Sequence, residues 1–413
     1  MPMNLPLRTL IAGIGGFGSA HHSVFAKLEE RGTARVVATC DPALERLGAV
    51  GELHGFARRS VQTYKDFEAM LAAHSGGMDL GVIASPIQFH APMHEAFVLR
   101  QVACYLEKPP TLDPAEFERM LAVEEQAAFT TNVGFSYIHL QDRLELKRRM
   151  MSGEFGRLKR LAFLGLAPRT PAYFQRNQWA GRLTIGGKLL LDSCLGNAMS
   201  HFLNNMLFFA DQDHLQGWAR PAEATAELYR ANRIEGTDTI FALVRLDSGI
   251  ELRLAASHAC PQTEQVTEEY IEFEHATVTI RSNDQVTIEH SGQPDETFSI
   301  TGPSLEDAVQ HYISYLKGIH PRPAQTLREC QGFVETNALF YLAGKRIHDF
   351  PPNALVQPRP DSVIALPDIE EAARHLVTEG MLPSAVGYPW ANNGGQSSLA
   401  SLSGINRVVE LMT

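Results

Sequence analysis

Residues 11–18 read Ile-Ala-Gly-Ile-Gly-Gly-Phe-Gly and set Gly13, Gly15 and Gly18 at the spacing of a dinucleotide-binding turn. The apolar run at 8–12 predicts a buried strand, and 17–28 predicts the helix that follows it. In such a turn the first glycine permits the tight reversal. The second lets the backbone approach a pyrophosphate, and the third lets helix pack on strand. Gly16 and Phe17 complete the loop, where unpaired helix N–H groups meet an anion. A second apolar strand at 36–40 ends in Asp41, near the ~20-residue offset at which a carboxylate accepts from the ribose hydroxyls. Such a carboxylate repels a 2′-phosphate. No base stands in Pro42-Ala43-Leu44-Glu45, and Arg46 is the next candidate, so NAD is expected in preference to NADP.

The first third of the chain alternates strand and helix. Near-continuous apolar runs at 79–85 and 103–107 suit parallel strands buried on both faces, with helices at 64–74, 91–100 and 114–125 and a last strand at 130–134. This predicts an α/β chain whose first part, 1–134, is a doubly wound parallel sheet of the Rossmann kind. After residue 155 the pattern changes to alternating apolar and polar strands at 157–167, 224–230, 238–246, 250–257, 270–273, 277–280 and 286–289. Helices are expected at 198–210, 304–317 and 326–347. The segment 135–350 therefore reads as an α+β domain with an open, mostly antiparallel sheet, one face covered and one available to another subunit. Residues 351–413 are rich in proline, glycine and serine, with one helix near 367–379, and read as a C-terminal extension, partly an extended arm.

The 413 residues carry 36 lysines and arginines against 47 aspartates and glutamates, a net charge of −11. With no long basic run, this argues against nucleic acid or an anionic membrane as the main partner. The five cysteines are scattered without a C-x-x-C pair, as free thiols in a reducing cytoplasm would be. No run approaches the ~18 apolar residues that span a bilayer. His21 and His22 lack a third ligand at a suitable spacing and are expected to cap or line the first helix, not to hold a metal.

Glu107-Lys108-Pro109 falls at the carboxyl end of a parallel strand, where open α/β sheets place ligands. An ammonium there can hydrogen-bond a substrate hydroxyl or carbonyl and stabilise charge that develops as hydride moves. The glycine turn, Ser85-Pro86 with His90, and Tyr105-Leu106-Glu107-Lys108-Pro109 together resemble the glucose–fructose oxidoreductase/inositol dehydrogenase/rhizopine-catabolism family, Gfo/Idh/MocA. So do Gly134-Phe135-Ser136-Tyr137 and Gly153-Glu154-Phe155-Gly156. The resemblance spans roughly residues 8–345. It implies oxidation of a ring hydroxyl of a sugar or cyclitol with NAD or NADP, and assembly as a homodimer or homotetramer through the second sheet. It also implies that Ser85, Pro86, His90, Glu107 and Lys108 line the nicotinamide side of the cofactor pocket.

The family's second motif is an Asp with a His four residues on, the His acting as base. Here Asp192 has Gly196 at that position, while His201 has Asn197 four residues before it. Either Asp192 keeps the family position and the His is lost, or Asn197 replaces the Asp and His201 remains the base. The second is preferred, because His201 opens an apolar helix. An Asn stabilises imidazolium less well than a carboxylate does, so the base is weaker unless Asp192 reaches it. Residues 173–182 mix aromatic rings with Arg176 and Asn177, and Trp179 and Tyr137 add stacking faces; all four suit a polyhydroxylated or carboxylated substrate. Tyr229, Asn232 and His258 are further candidates.

The sequence therefore predicts a cytoplasmic NAD(P)-dependent oxidoreductase acting on a sugar, sugar acid or cyclitol. A hydrolase that oxidises its sugar transiently and returns the hydride is a second reading. A non-catalytic NAD-binding regulatory protein, suggested by the irregular Asp/His motif, is a third.

Overall fold

The computed structural model describes Met3, residues 6–282 and residues 284–412. It divides into two compact units, one of residues 1–111, 115–139 and 303–328, the other of 112–114, 140–302 and 329–413.

The first unit holds a six-stranded parallel sheet ordered β3-β2-β1-β4-β5-β6. Its strands are β1 (Leu7–Ala12), β2 (Ala34–Cys40), β3 (Gln62–Tyr64), β4 (Leu80–Ile83), β5 (Ala103–Leu106) and β6 (Asn132–Val133). Strand β1 pairs with β2 on one side and β4 on the other, so the order reverses beside it. Ligands of such sheets bind outside the carboxyl ends at that reversal. Every residue of β4 and β5 is buried, as their apolar runs require of strands covered on both faces. Helix α1 (Phe17–Glu30) follows β1 and buries Val24, Phe25 and Leu28 against the sheet.

The boundary expected at residue 134 moves. The unit runs on to residue 139 and regains 303–328, because helix α4 (Leu305–Leu316) buries Val309, Tyr312, Ile313 and Leu316 in the same core. Tyr312 anchors it by donating to the Thr130 carbonyl at 3.0 Å. The spacing of those apolar residues dictates a helix, but nothing local says which core receives it.

The second unit is built on a sheet ordered β16-β15-β14-β13-β7-β12-β11-β10-β17, with β18 also paired to β10. The strands are β7 (Leu158–Leu166), β10 (Pro221–Arg230), β11 (Thr239–Leu246), β12 (Glu251–Ser257), β13 (Val266–Phe273) and β14 (Ala276–Arg281). Strands β15 (Gln285–His290), β16 (Glu296–Ser299), β17 (Ile347–Asp349) and β18 (Gly395–Ser398) complete it, and β8 (Thr184–Ile185) with β9 (Lys188–Leu189) forms a separate hairpin. Pairing is antiparallel except at β7–β12 and β10–β17. Alternation along β7 sends Phe163 to one face, where it stacks on Phe202 of helix α3 (Ser200–Ala210) at 5.1 Å. It sends Ala162, Leu164 and Leu166 to the other.

That second face differs from the expected open surface. Helix α5 (Ile369–Glu379) lies on it and buries Ile369, Ala372, Ala373, Leu376 and Val377 against Ala162, Leu164, Leu166 and Ala255. Arg253 of β12 donates to the Val377 and Thr378 carbonyls at 3.1 and 2.8 Å, supplying a cation to the helix's negative end. Trp390 packs on Tyr229 and Phe350, and β18 runs antiparallel along β10. The tail is thus a folded layer of the second unit and not an extended arm. Its hydrophobic cluster draws on β7, β10, β11, β12 and β13 but not on β14, β15 or β16.

Among the described residues, no helix is long and apolar enough to cross a membrane.

Candidate functional site

In the first unit the glycine turn links the end of β1 to α1. Gly13 adopts φ +113°, and a Cβ there would lie 2.4 Å from the Ala84 carbonyl oxygen. A Cβ at Gly18 would lie 2.6 Å from the Gly13 oxygen. The turn must therefore lack side chains where α1, β1 and the end of β4 close together. Gly16 forms the helix N-cap, with open space where a Cβ would stand, and Phe17 beside it is exposed. The helix start has neither a side-chain cap nor an acidic residue in its first turn. The Gly18 and Ser19 N–H groups turn back to the Gly15 and Gly16 carbonyls at 3.0 and 3.2 Å, and with no competing carboxylate the 14-residue helix presents its positive dipole end to a phosphate. These features fit a dinucleotide's pyrophosphate.

Asp41, at the end of β2, faces this turn. Its Oδ2 accepts from the N–H groups of Ile14 and Gly15 at 3.1 and 3.3 Å, and its Oδ1 from Ala43 at 2.9 Å. Three backbone donors hold the carboxylate beside Gly15, the glycine meant for close approach, and leave lone pairs for ribose hydroxyls. Arg46 is exposed in a short turn, Leu44–Arg46.

The Lys108 turn leaves β5 at the same end of the sheet and is held from two sides. Glu107 Oε1 lies 2.8 Å from Nε2 of His21 on α1, and its Oε2 accepts from the Lys108 N–H at 3.2 Å. Gly134 keeps room for this carboxylate, since a Cβ there would come within 3.1 Å of Oε1. On the other side, buried His90 places Nδ1 2.9 Å from the Pro109 carbonyl and Nε2 2.9 Å from that of Ser85. Burial lowers the His90 pKa, and the two carbonyls oppose that shift. The ring spans the Ser85–Pro86 turn and the Lys108–Pro109 turn, one nitrogen facing each carbonyl; donating to both needs a proton on each nitrogen, which burial opposes. Ser85 and Lys108 are half-buried, Pro86 is exposed, and Tyr137 is half-buried in a turn after β6.

In the second unit two of the sequence candidates, Asp192 and Asn197, meet. Asp192 Oδ1 accepts from Asn197 Nδ2 at 3.1 Å and its Oδ2 from the Gly181 N–H at 2.6 Å. Asn197 is five residues on, and a wide π-type turn over Cys194–Ala198 makes up the extra residue. Position 196 is crowded: a Cβ there would lie 2.9 Å from Leu112 Cδ1 and Ser193 Oγ, so any side chain must displace both. The residue before the carboxylate, Leu191, sits at φ +49°, a conformation costly for a side chain with a Cβ. Tyr341 pins it by donating to the Leu191 carbonyl at 3.2 Å. Such strain, held in place by its surroundings, marks a carboxylate whose placement matters. His201 is half-buried in the first turn of α3.

The loop beyond Asp192's contact is helix α2 (Pro171–Gln175) and the turn after it. Asn177 spends its Oδ1 on the N–H groups of Trp179 and Ala180, at 3.1 and 2.7 Å, so half of its amide shapes the turn. The Arg176 guanidinium lies 3.6 Å from the centroid of the Tyr173 ring and 5.2 Å from that of Trp179. Tyr229 instead belongs to the tail contact, donating to the Asn392 carbonyl, and Asn232 serves the buried Asp238 carboxylate.

Sequence reasoning missed the pairing of His21 with Glu107, the strain at Leu191 and its anchor Tyr341. His21 sits three residues after Gly18 on a face turned to the sheet, a signal open to reading; the other two depend on contacts remote in sequence.

Residues 7–135 match the model of GFO_IDH_MocA, an oxidoreductase family with an NAD-binding Rossmann fold. One curated relative is the "Putative UDP-kanosamine synthase oxidoreductase subunit" of Amycolatopsis mediterranei (strain S699). It is 23% identical over 307 residues, which cover 72% of this chain and 80% of that protein. The WlbA dehydrogenase of Bordetella pertussis, crystallised with NADH and UDP-GlcNAcA, superimposes with a TM-score of 0.65 at 20% identity. The match covers 81% of this chain and 95% of that one. The UDP-N-acetylglucosamine 3-dehydrogenase GnnA of Acidithiobacillus ferrooxidans gives 0.61 at 19% identity, over 81% and 96%. These likenesses show a shared fold.

Proposed function

We propose that this chain, whose first unit is an NAD-binding Rossmann domain of the Gfo/Idh/MocA oxidoreductase type, oxidises or reduces a hydroxyl-bearing carbon of a sugar, sugar acid or cyclitol. The observation that carries the reading lies within the first unit. A glycine-rich helix start with no side-chain cap, with Asp41 upon it, stands at the same sheet end as a lysine turn braced by Glu107–His21 and by His90. The solved relatives crystallised with NADH and a UDP-sugar, and those named as sugar dehydrogenases, support the substrate class.

In this reading NAD supplies the hydride acceptor. The backbone around Gly13, Gly15, Gly16, Phe17 and Gly18 holds its pyrophosphate. Asp41 accepts from its ribose hydroxyls, which favours NAD over NADP. Ser85, Pro86, His90 and Glu107 shape the nicotinamide side. Lys108 donates to the reacting oxygen and stabilises negative charge upon it. His201 takes the hydroxyl proton, and Asp192 with Asn197 sets the polar surroundings in which it works. Arg176, Asn177, Trp179 and Tyr137 bind the sugar. A homo-oligomer through the second sheet would use β14–β16, the strands outside the tail's cluster.

A non-catalytic NAD-binding role is the second reading, favoured by the amide that occupies Asp192 Oδ1 in place of an imidazole. Incubation with NAD and a panel of sugars, UDP-sugars, sugar acids and cyclitols separates the two. Growth of reduced-nicotinamide absorbance with one substrate class is expected; NAD binding with no absorbance change across the panel would select the second reading. Release of a glycosidic leaving group without net NADH would instead select the transiently oxidising hydrolase.

A further inference from the structure

The second unit holds two arginines, Arg169 and Arg176, that form no ion pair among the described residues. Strands β7 and β12 run parallel, and their ladder continues past both ends: Ala167 N–H donates to the Ser257 carbonyl and Arg169 N–H to that of His258. Arg169 and His258 therefore emerge side by side at the carboxyl ends of two central strands. Helix α2 adds Tyr173 and Phe174, whose ring centroids lie 5.9 and 6.1 Å from the His258 ring. The Arg169 guanidinium lies 5.0 Å from the Tyr173 centroid, and Arg176 lies 3.6 Å from the same ring.

The recorded side-chain hydrogen bonds of both arginines go to carbonyls, Arg169 to Pro168 and Arg176 to Tyr173. Among the described residues neither forms an ion pair. Arg182, Arg230 and Arg253 of the same unit each have a carboxylate, in Glu235, Asp349 and Glu251. In a chain of net charge −11, two guanidiniums over one tyrosine ring, without an ion pair among the described residues, are poised for an outside anion. His258 is buried, and its Nδ1–H donates to the Ala167 carbonyl at 2.7 Å, which leaves Nε2 as an acceptor suited to a hydroxyl. Burial first, then the two guanidiniums, hold its pKa near 4, so the ring stays neutral and the positive charge here is that of the arginines.

We infer that Arg169 and Arg176, with Tyr173 and His258, form a subsite for an oxyanion group carried by the sugar substrate, a carboxylate or a phosphoryl group. This rests on the carbohydrate reading above and narrows it: the substrate is anionic, as a uronic acid or a nucleotide-linked sugar is. Neutral sugars and cyclitols lack the group that the two guanidiniums would bind.

Trp179, 5.2 Å from the Arg176 guanidinium, gives a readout that needs no turnover. The full chain is titrated with glucuronate, UDP-glucose and glucose at low salt while tryptophan fluorescence is followed; Trp179→Phe identifies the responding ring. Saturable quenching by glucuronate, by UDP-glucose or by both is expected, weakening as salt rises, with glucose giving none. Quenching by glucuronate alone assigns a carboxylate; quenching by UDP-glucose alone assigns the diphosphate. Arg169→Met and Arg176→Met should each weaken it by about tenfold or more, and Arg→Lys at either position by less, since charge survives and the planar fork does not. Thermal unfolding of each variant verifies its fold. Equal affinity in the Met variants, binding of glucose as tight as that of the anions, or no saturable response to either anion at millimolar concentration overturns the subsite. Anion binding without NADH formation on any substrate would leave the subsite standing and sink the oxidoreductase reading.

Discussion

Nδ2 of Asn197 lies 3.1 Å from Oδ1 of Asp192, so the carboxylate held by the strained Leu191 backbone meets an amide. The π-type turn makes this possible by carrying residue 197, and not 196, back to the carboxylate.

Asn197→Asp sets two carboxylates at that distance, and their repulsion raises the pKa of one of them. The variant's turnover should fall at pH 8 and recover toward pH 6, where the protonated Asp donates as the amide does. A pH–rate profile parallel to that of the wild type would show that the contact does not matter. Asp192→Ala leaves the Gly181 N–H and the Asn197 amide without their acceptor and should cost about 1–3 kcal/mol in urea unfolding.

Lys108→Ala should lower turnover by about a hundredfold while the dissociation constant for NAD changes little, because the ammonium acts on developing charge. His21→Gln keeps a donor for Glu107 and should lower kcat by less than Lys108→Ala does. Fluorescence titration with NAD alongside steady-state kinetics measures both. Wild-type turnover in Lys108→Ala would remove the lysine from its assigned role.

Asp41→Ala frees the N–H groups of Ile14 and Gly15 and deletes the ribose acceptor. NAD binding should weaken about tenfold or more, and the preference over NADP should shrink as the repulsion of a 2′-phosphate goes. Calorimetric titration with both nucleotides is the check; unchanged preference would place the discrimination elsewhere.

How far the sequence spoke depends on the range of the interaction involved. The glycine turn, Asp41 and the Glu107-Lys108-Pro109 turn were legible because each rests on a few neighbouring residues and a strand end. The antiparallel strands from 224 to 289 announced themselves by alternation, and the tail helix by its apolar spacing. Two placements escaped. Helix Leu305–Leu316 joins the core of β1, β4 and β5, and helix α5 covers β7 and β12, both decided by apolar faces hundreds of residues apart. The Asp192–Asn197 contact escaped because a four-residue rule assumes an ordinary helical turn, and this turn is wider by one residue.

Burial holds His22 near pKa 3 and His139, His258 and His311 near 4, all below the free imidazole value of 6.5. In that window the unfolded chain binds more protons, so stability rises with pH and is lost as pH falls from 6.5 toward 4. The urea midpoint should be clearly lower at pH 5 than at pH 7.5. An equal or higher midpoint at pH 5 would contradict the neutral burial of these rings.

Lys147 is fully buried, with its ammonium 3.9 Å from the Phe208 ring centroid and donating to the Gly217 carbonyl at 3.1 Å. Burial pulls its pKa from 10.5 to about 7. Between pH 7 and 10 the unfolded state holds the extra proton, so this residue adds stability with rising pH, by about 1.4 kcal/mol per unit at most. Lys147→Met should flatten that rise. Denaturant melts at pH 7 and 9.5 test it, and an identical slope in the variant would mean that the amine stays charged.

The helix Leu305–Leu316 has a consequence for synthesis. A ribosome that has released only the first 139 residues has made all six strands of the nucleotide-binding sheet but not Val309, Tyr312, Ile313 or Leu316, which finish its interior. The nascent N-terminal piece must wait, with part of its apolar surface wet, while the 177 residues from 140 to 316 are translated. Its maturation is thereby coupled to the arrival of a late segment of the polypeptide, and a fragment cut after residue 139 would be an incomplete body prone to clumping.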